Sequence, residues 1–296
     1  IMSKKLKESI SVVLSGEGAD EIFGGYGRIF ISPYDYERIK NIDDLPLSPS
    51  DKEVLTANFI KKYKETTFNS ELEHFINLYS YTSLNEKKDL LSSNLPLNNI
   101  EEQLIKKFES YFNEIDEVSY SNKIMYAFEK IHLVGLLQRL DNATMASSVE
   151  ARVPFVDHRL VEFAFTIPFK YKIKWSGLES KELSKLLMSD EISEVFDNPK
   201  AILKKAYEDL IPDSILYRKK MGFPVPINRW FGDDFNNYAK KILLSDVAKK
   251  RGLYNIPIIK KWLNSGKLYR DHGFAMKIWM LINLELFNIK YFDSIE

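Results

Sequence analysis

The sequence predicts a mainly helical body entered through a single α/β unit. The run Ile10-Ser11-Val12-Val13-Leu14 is apolar and β-branched, and it feeds directly into the glycine-bearing segment Ser15-Gly16-Glu17-Gly18-Ala19-Asp20-Glu21. From about Asp51 onward, apolar residues recur at spacings of three and four, the helical period. No later segment carries a strand signal of comparable strength. A continuous apolar strand suits the interior of a parallel sheet and needs neighbours. The imbalance predicts that part of an α/β unit lies upstream of residue 1 or comes from another chain.

Each element follows in order. The opening strand spans residues 10–14. Polar or proline-marked breaks at 32–49, 92–99 and 169–178 read as connections rather than domain linkers, so residues 1–296 form one domain. Ile124, Phe128, Ile131, Leu133, Val134, Leu137 and Leu140 make a core-facing helical stripe that ends near Asp141. Asp157 is placed to N-cap the helix carrying Leu160 and Val161. Asn198 as N-cap and Pro199 at the first helical position mark another helix start, which puts Lys200 in its first turn.

Composition narrows the function. With 296 residues, 45% hydrophobic and 28% charged, the chain folds over most of its length. Lys plus Arg and Asp plus Glu balance at 42 each, so no net field draws it to nucleic acid or to an anionic membrane. There is no cysteine, which removes disulfides, thiolate metal sites and a cysteine nucleophile. No apolar run approaches the roughly 18 to 20 residues that span a bilayer. Met2 to Lys7 is too brief for a signal peptide, and the cytoplasm is the default compartment.

The chemistry-bearing candidates form three groups. In Ser15 to Glu21, glycines let backbone N–H groups approach a phosphate closely, and Asp20 offers oxygens to Mg²⁺. Carboxylates repel phosphate, so a metal or a cation is required there. From spacing alone, a solvated acidic turn fits equally well. The following Gly24-Gly25-Tyr26-Gly27 suits tight packing better than ligand binding.

The second group is the run 139–157, in which Arg139, Asp141, Glu150 and Arg152 lie among apolar and small residues and must pair if buried. In the third, Lys200 stands where a helix dipole disfavours a cation by up to about 1 kcal/mol, a cost that a bound anion offsets. The basic turn 218–224 either neutralises phosphate or faces water. His74, His132, His158 and His272 show no metal-ligand spacing, and His132 reads as a core or boundary residue.

These segments resemble the asparagine synthetase family in three ordered blocks. Val12 to Tyr26 is similar to the family's L-S-G-E-G-A-D-E-L-F-G-G-Y segment. Thr144-Met145-Ala146 and Glu150-Ala151-Arg152-Val153-Pro154-Phe155-Val156-Asp157 resemble its T-M-A and E-A-R-V-P-F-L-D block. Pro199 to Pro224 follows its late K-x-x-L-R-x-A-F, L-L-P and R-K-K-x-G-F-P pattern.

The resemblance implies an α/β fold of the adenine-nucleotide alpha-hydrolase type with a Rossmann-like parallel sheet, of which this chain holds the later part and most of the helices. It also implies the C-terminal part of an ATP-dependent synthetase domain that adenylates the aspartate side chain and transfers ammonia to give asparagine, AMP and pyrophosphate. By resemblance Ser15 and Gly16 contact ATP, Glu17 serves the acyl-adenylate step, and Asp20 holds Mg²⁺ with pyrophosphate. Lys200 stabilises charge on the reacting phosphate and carboxylate. Arg139, Asp141, Glu150 and Arg152 are structural or substrate-side.

Three departures stand out. The family's glutaminase cysteine and its S-G-G-x-D-S pyrophosphate loop have no counterpart in the sequence, and Lys204 stands where the family often has arginine. The implied partners are therefore ATP, aspartate or a similar carboxylate, and an upstream glutaminase and pyrophosphate-loop segment in the same or a separate polypeptide. A homodimer is left open. A relative amidating another carboxylate and a non-catalytic helical interaction fragment are the competing readings.

Overall fold

In a computed structural model, which describes residues 2–115, 118–218, 220, 222, 225–232 and 234–293, the opening strand forms at Val12–Leu14 (β1). Its partner is Glu150–Arg152 (β2), parallel, with Val12 opposite Glu150 and Leu14 opposite Arg152. The expected burial is not found: Val12 is 49% and Leu14 72% exposed. The physical reason is that a parallel strand is covered only when strands and crossover helices flank it, and among the described residues this sheet has two strands. β2 escaped the sequence reading because Glu-Ala-Arg carries no β-branched or aromatic side chain.

The chain forms two compact units, residues 1–79 with 106–219, and residues 80–105 with 220–296. The first is mainly helical. Ala19–Phe23 (α1) follows the glycine loop. Ser32–Lys40 (α2) is a helix where the sequence suggested a connection. Pro33 sits at its first positions, where a missing N–H costs nothing, so the proline starts the helix rather than breaking the chain. Pro49–Tyr63 (α3) is N-capped by Ser48, whose hydroxyl accepts from the Asp51 N–H at 3.1 Å.

The helical stripe splits into Tyr120–Ala127 (α4), a π-helical stretch Phe128–Leu133, and Val134–Met145 (α5). It outruns the expected end at Asp141. No glycine or proline stops it there, and Thr144 Oγ1 folds back onto the Leu140 carbonyl at 3.0 Å. Its core-facing character also fades. Ile124 and Phe128 are buried with Phe30, Leu55, Phe59 and Phe75 in one cluster, whereas Val134 is exposed.

Under this cluster lies an ionic network. Asp35 of α2 is fully buried and accepts from Arg38 Nη2 at 2.9 Å, Lys62 Nζ at 2.9 Å, Tyr63 Oη at 2.8 Å and the Ser189 N–H at 3.0 Å. Burial alone would favour its neutral form, but the two cations and the backbone donor outweigh that and hold its carboxyl below the usual range.

Asp157 N-caps His158–Thr166 (α6) as expected, accepting from the Arg159 N–H at 3.0 Å. Ile173–Trp175 (β3) then pairs antiparallel with Asp197–Pro199 (β4). The helix start expected at Asn198 and Pro199 is thereby corrected. Asn198 lies in extended chain opposite Lys174, Pro199 ends the strand where it owes no ladder donor, and the helix Ala201–Ala206 (α7) begins after Lys200. Local cap signals yielded to strand pairing.

Among its described residues the second unit is helical apart from an isolated antiparallel bridge between Leu91 and Tyr254. Asp234–Leu243 (α8), Ile256–Asn264 (α9) and His272–Tyr291 (α10) bury Leu243, Ile259, Leu263, Ile278 and Ile282 together. Glu285 of α10 is fully buried and is held by Arg251 at 3.0 Å and by the Tyr254 hydroxyl at 2.7 Å. Among the described residues, no helix is long and apolar enough to cross a membrane.

Candidate functional site

The glycine loop is anchored at the C-terminal end of β1, where the Ser15 N–H donates to the Arg152 carbonyl at 2.8 Å. Gly18 then takes the left-handed conformation (φ 96°) and starts α1, and a Cβ on it would meet Val156 Cγ2 at 2.6 Å. Glycine is required there twice, by dihedral and by space. Gly16 differs. A Cβ built on it meets nothing within 4 Å, so the protein itself does not demand a glycine, and the backbone is left open to approach from outside.

Asp20 lies in the first turn of α1, and its Oδ1 accepts from Lys200 Nζ at 2.7 Å. Both side chains keep about a quarter of their surface, 25% for Asp20 and 28% for Lys200, so the pair is reachable from solvent. Lys200 is delivered by an unusual backbone. It occupies the hinge between β4 and α7 at φ 55°, a left-handed conformation costly for a side-chain-bearing residue.

Glycine is needed at Gly25 for a different reason. A Cβ there would fall 1.8 Å from Asp20 Oδ1 and 2.8 Å from Asp20 Cα. The bare backbone at Gly25 is what leaves room for the carboxylate that meets Lys200.

Glu17 lies 3.9 Å from Arg139 Nη2, with Glu17 29% and Arg139 71% exposed, a loose and solvent-screened pair. Ser15 and Gly16 share its loop. The structure therefore gathers Ser15, Gly16, Glu17, Asp20 and Lys200, with Arg139 at the edge.

The buried charge network expected for the second group does not form. Asp141 is exposed on α5, and among the described residues the exposed Glu150 and Arg152 of β2 form their ion pair with each other, at 2.9 Å. The small residues around them mark an open strand surface rather than a core. In the basic turn, Lys219, Met221, Phe223 and Pro224 lie outside the described residues.

Behind the loop sits a polar cluster that sequence reasoning missed. Glu21 is buried and accepts from the Tyr26 hydroxyl at 2.8 Å, and burial raises its pKa despite that bond. Burial pushes Glu129, on the π-helical stretch, up to about 8, and Lys172 down to about 8, each restrained by the other's charge. The signal for Glu129 was present as a carboxylate between core-facing Phe128 and Ile131. His132 is half-buried against Phe128 and Tyr26, as expected of a boundary residue. Lys204 donates to Asn198 Oδ1 at 2.5 Å, and its pKa is lowered by burial and then by the neighbouring Lys200 charge.

Comparison with known proteins shows the family. The family model described as asparagine synthase matches residues 1–288. The chain is 29% identical over 252 residues to asparagine synthetase [glutamine-hydrolyzing] 1 of Bacillus subtilis, covering 82% of this chain and 35% of that protein. It is 31% identical over 224 residues to asparagine synthetase [glutamine-hydrolyzing] 3 of the same organism, covering 75% of this chain and 27% of the relative. It is 27% identical over 269 residues to the amidase chyE of Penicillium rubens, covering 83% and 36%. The chain spans about a third of the length of these relatives. A family match over residues 1–288, from before β1 into α10, leaves one conclusion: the chain belongs to the asparagine synthase family.

Proposed function

We propose that this chain supplies the later half of an ATP-dependent, amide-forming ligase site that adenylates a carboxylate, with the aspartate side chain as the leading substrate. The carrying observation is the meeting of Lys200 with Asp20 at 2.7 Å beside the open backbone of Gly16. In the reaction a carboxylate oxygen attacks the α-phosphorus of ATP and pyrophosphate leaves. Ammonia then adds to the acyl carbon, loses a proton and displaces AMP.

Each residue has a task in that sequence. Gly16 and Ser15 lie against the nucleotide, where a side chain at 16 would block approach. Lys200 turns from Asp20 toward the phosphates and neutralises the charge that grows as pyrophosphate departs. Glu17 faces the acyl transfer beside Arg139. Mg²⁺ usually keeps several waters and takes one or two protein carboxylates plus substrate phosphates, and Asp20 fits that requirement. Mg²⁺ bound there would neutralise phosphate charge.

The fold proposed for the whole domain is the adenine-nucleotide alpha-hydrolase type, with β1 and β2 as part of a larger parallel sheet. The exposed apolar face of β1 supports it. The similarity to a protein named an amidase keeps a second acceptor class open, a carboxylate other than aspartate.

The test is ATP–pyrophosphate exchange with aspartate, measured on the chain alone and with an upstream family segment supplied. Exchange in the completed form, lost in Glu17→Ala and Lys200→Ala, is the expected result. Absence of exchange in both forms of a folded protein defeats the reading and favours a non-catalytic interaction fragment. Exchange that survives both substitutions defeats the residue assignment.

A further inference from the structure

Beside the β3–β4 pair, the first unit holds a cavity of about 590 Å³, within the size range of small-molecule sites. None of Ser15, Gly16, Glu17, Asp20 or Lys200 lines it. Its apolar walls come from Phe169, Ile173 and Trp175. The Trp175 ring is fixed by an edge contact with Tyr34, at 5.5 Å between centroids. A braced aromatic wall costs little further entropy when a flat molecule stacks on it.

The rim is cationic. Lys170, Lys174 and Lys181 all line the cavity, and none of them forms an ion pair among the described residues. The Lys181 ammonium stands 5.7 Å from the Trp175 ring centroid, so charge and aromatic surface lie side by side. The one carboxylate in the lining, Asp197, is buried, its Oδ1 accepts from the Glu194 N–H at 2.7 Å, and it forms no ion pair with these lysines among the described residues. Burial pushes its pKa up to about 6, so at neutral pH it offsets one of the three positive charges and leaves the others in excess. Three lysines against one carboxylate around one apolar cavity leave a local cationic excess that suits an anion with an apolar body.

We propose that this cavity binds a planar aromatic molecule bearing a carboxylate or phosphate, its ring against Trp175 and its anionic group among Lys170, Lys174 and Lys181. The chemistry is shared by aryl carboxylates and by nucleoside monophosphates. The site is separate from the one around Lys200 and stands or falls independently of the adenylation reading.

The experiment is a titration of the ¹⁵N-labelled chain with indole-3-carboxylate, with adenosine 5′-monophosphate and with uncharged indole, reading the Trp175 indole N–H and the Gly177 amide. At least one anion is expected to saturate both signals with a Kd below about 1 mM, with indole at least about tenfold weaker. Saturation by the nucleotide alone, or by the aryl carboxylate alone, assigns the source of the ligand. Lys181→Glu and Lys174→Glu, both at exposed positions, are expected to raise that Kd about tenfold or more while the spectrum stays that of the folded protein. The proposal is overturned if neither anion saturates these two signals. Indole binding as tightly as the anions, or charge reversal leaving the affinity unchanged, overturns it as well.

Discussion

Lys200 Nζ and Asp20 Oδ1 meet at 2.7 Å although 180 positions separate them in sequence. The contact joins the helix after the first strand to the hinge after the last one. In the proposed reaction both groups act on the same phosphates, so their losses should not add. Lys200→Ala and Asp20→Asn are each expected to lower ATP–pyrophosphate exchange about 100-fold or more, and the double variant to fall little below the worse single one. Fully additive losses would separate the two residues.

Gly25 is expected to matter through Asp20. A methyl group at Gly25 would collide with Asp20 Oδ1 at 1.8 Å and press on its backbone. Gly25→Ala should therefore lower exchange at least about tenfold at saturating ATP, a loss of about 1.4 kcal/mol or more. Gly16→Ala is the control for a protein-internal role, since its Cβ meets nothing. It should leave the melting temperature unchanged and weaken ATP. An unchanged KM for ATP in Gly16→Ala would remove Gly16 from the nucleotide site.

Asp35 is a fully buried carboxylate that meets two cations in the first unit. Removing the charge leaves buried Arg38 without its carboxylate partner and Lys62 with its ion pair to the exposed Asp190, so Asp35→Ala is expected to destabilise by about 3 kcal/mol, read as a shift in the urea midpoint. A loss below about 1 kcal/mol would mean that water replaces the carboxylate there.

Glu129 and Lys172 predict a pH signature. Glu129 has a folded pKa raised to about 8 from 4.5, so the folded state holds the proton more tightly across that window and stability falls as pH rises through it. Lys172 has a folded pKa lowered to about 8 from 10.5, so stability recovers as pH rises from about 8 toward 10.5. Chemical denaturation of Glu129→Gln across pH 5 to 8 should show a flatter decline than the parent chain. An identical slope would place the titration elsewhere.

What the sequence made legible followed range and periodicity. β1, the Asp157 cap and the start of α3 depended on neighbours a few positions away, and they formed close to the expected residues. β2 did not show, because three residues of Glu-Ala-Arg become a strand only through pairing with β1. The cap reading at Asn198 and Pro199 was locally sound and lost to the pairing with Lys174 and Ile173. For the site, residue chemistry suggested an acidic glycine loop and a distant lysine, and family resemblance joined them. The steric role of Gly25 belongs to three-dimensional contact alone.

The left-handed backbone of Lys200 sets thermal robustness against chemistry at a single position. A side-chain-bearing residue at φ 55° carries a penalty of about 1–2 kcal/mol that glycine escapes. Lys200→Gly is therefore expected to melt no lower than the parent, or higher, while losing the ammonium. A selection for heat tolerance alone would drift toward a sturdier and silent protein at this hinge. Retention of lysine there would then report selection for turnover, and a lineage in which glycine has replaced it would be expected to have abandoned the reaction.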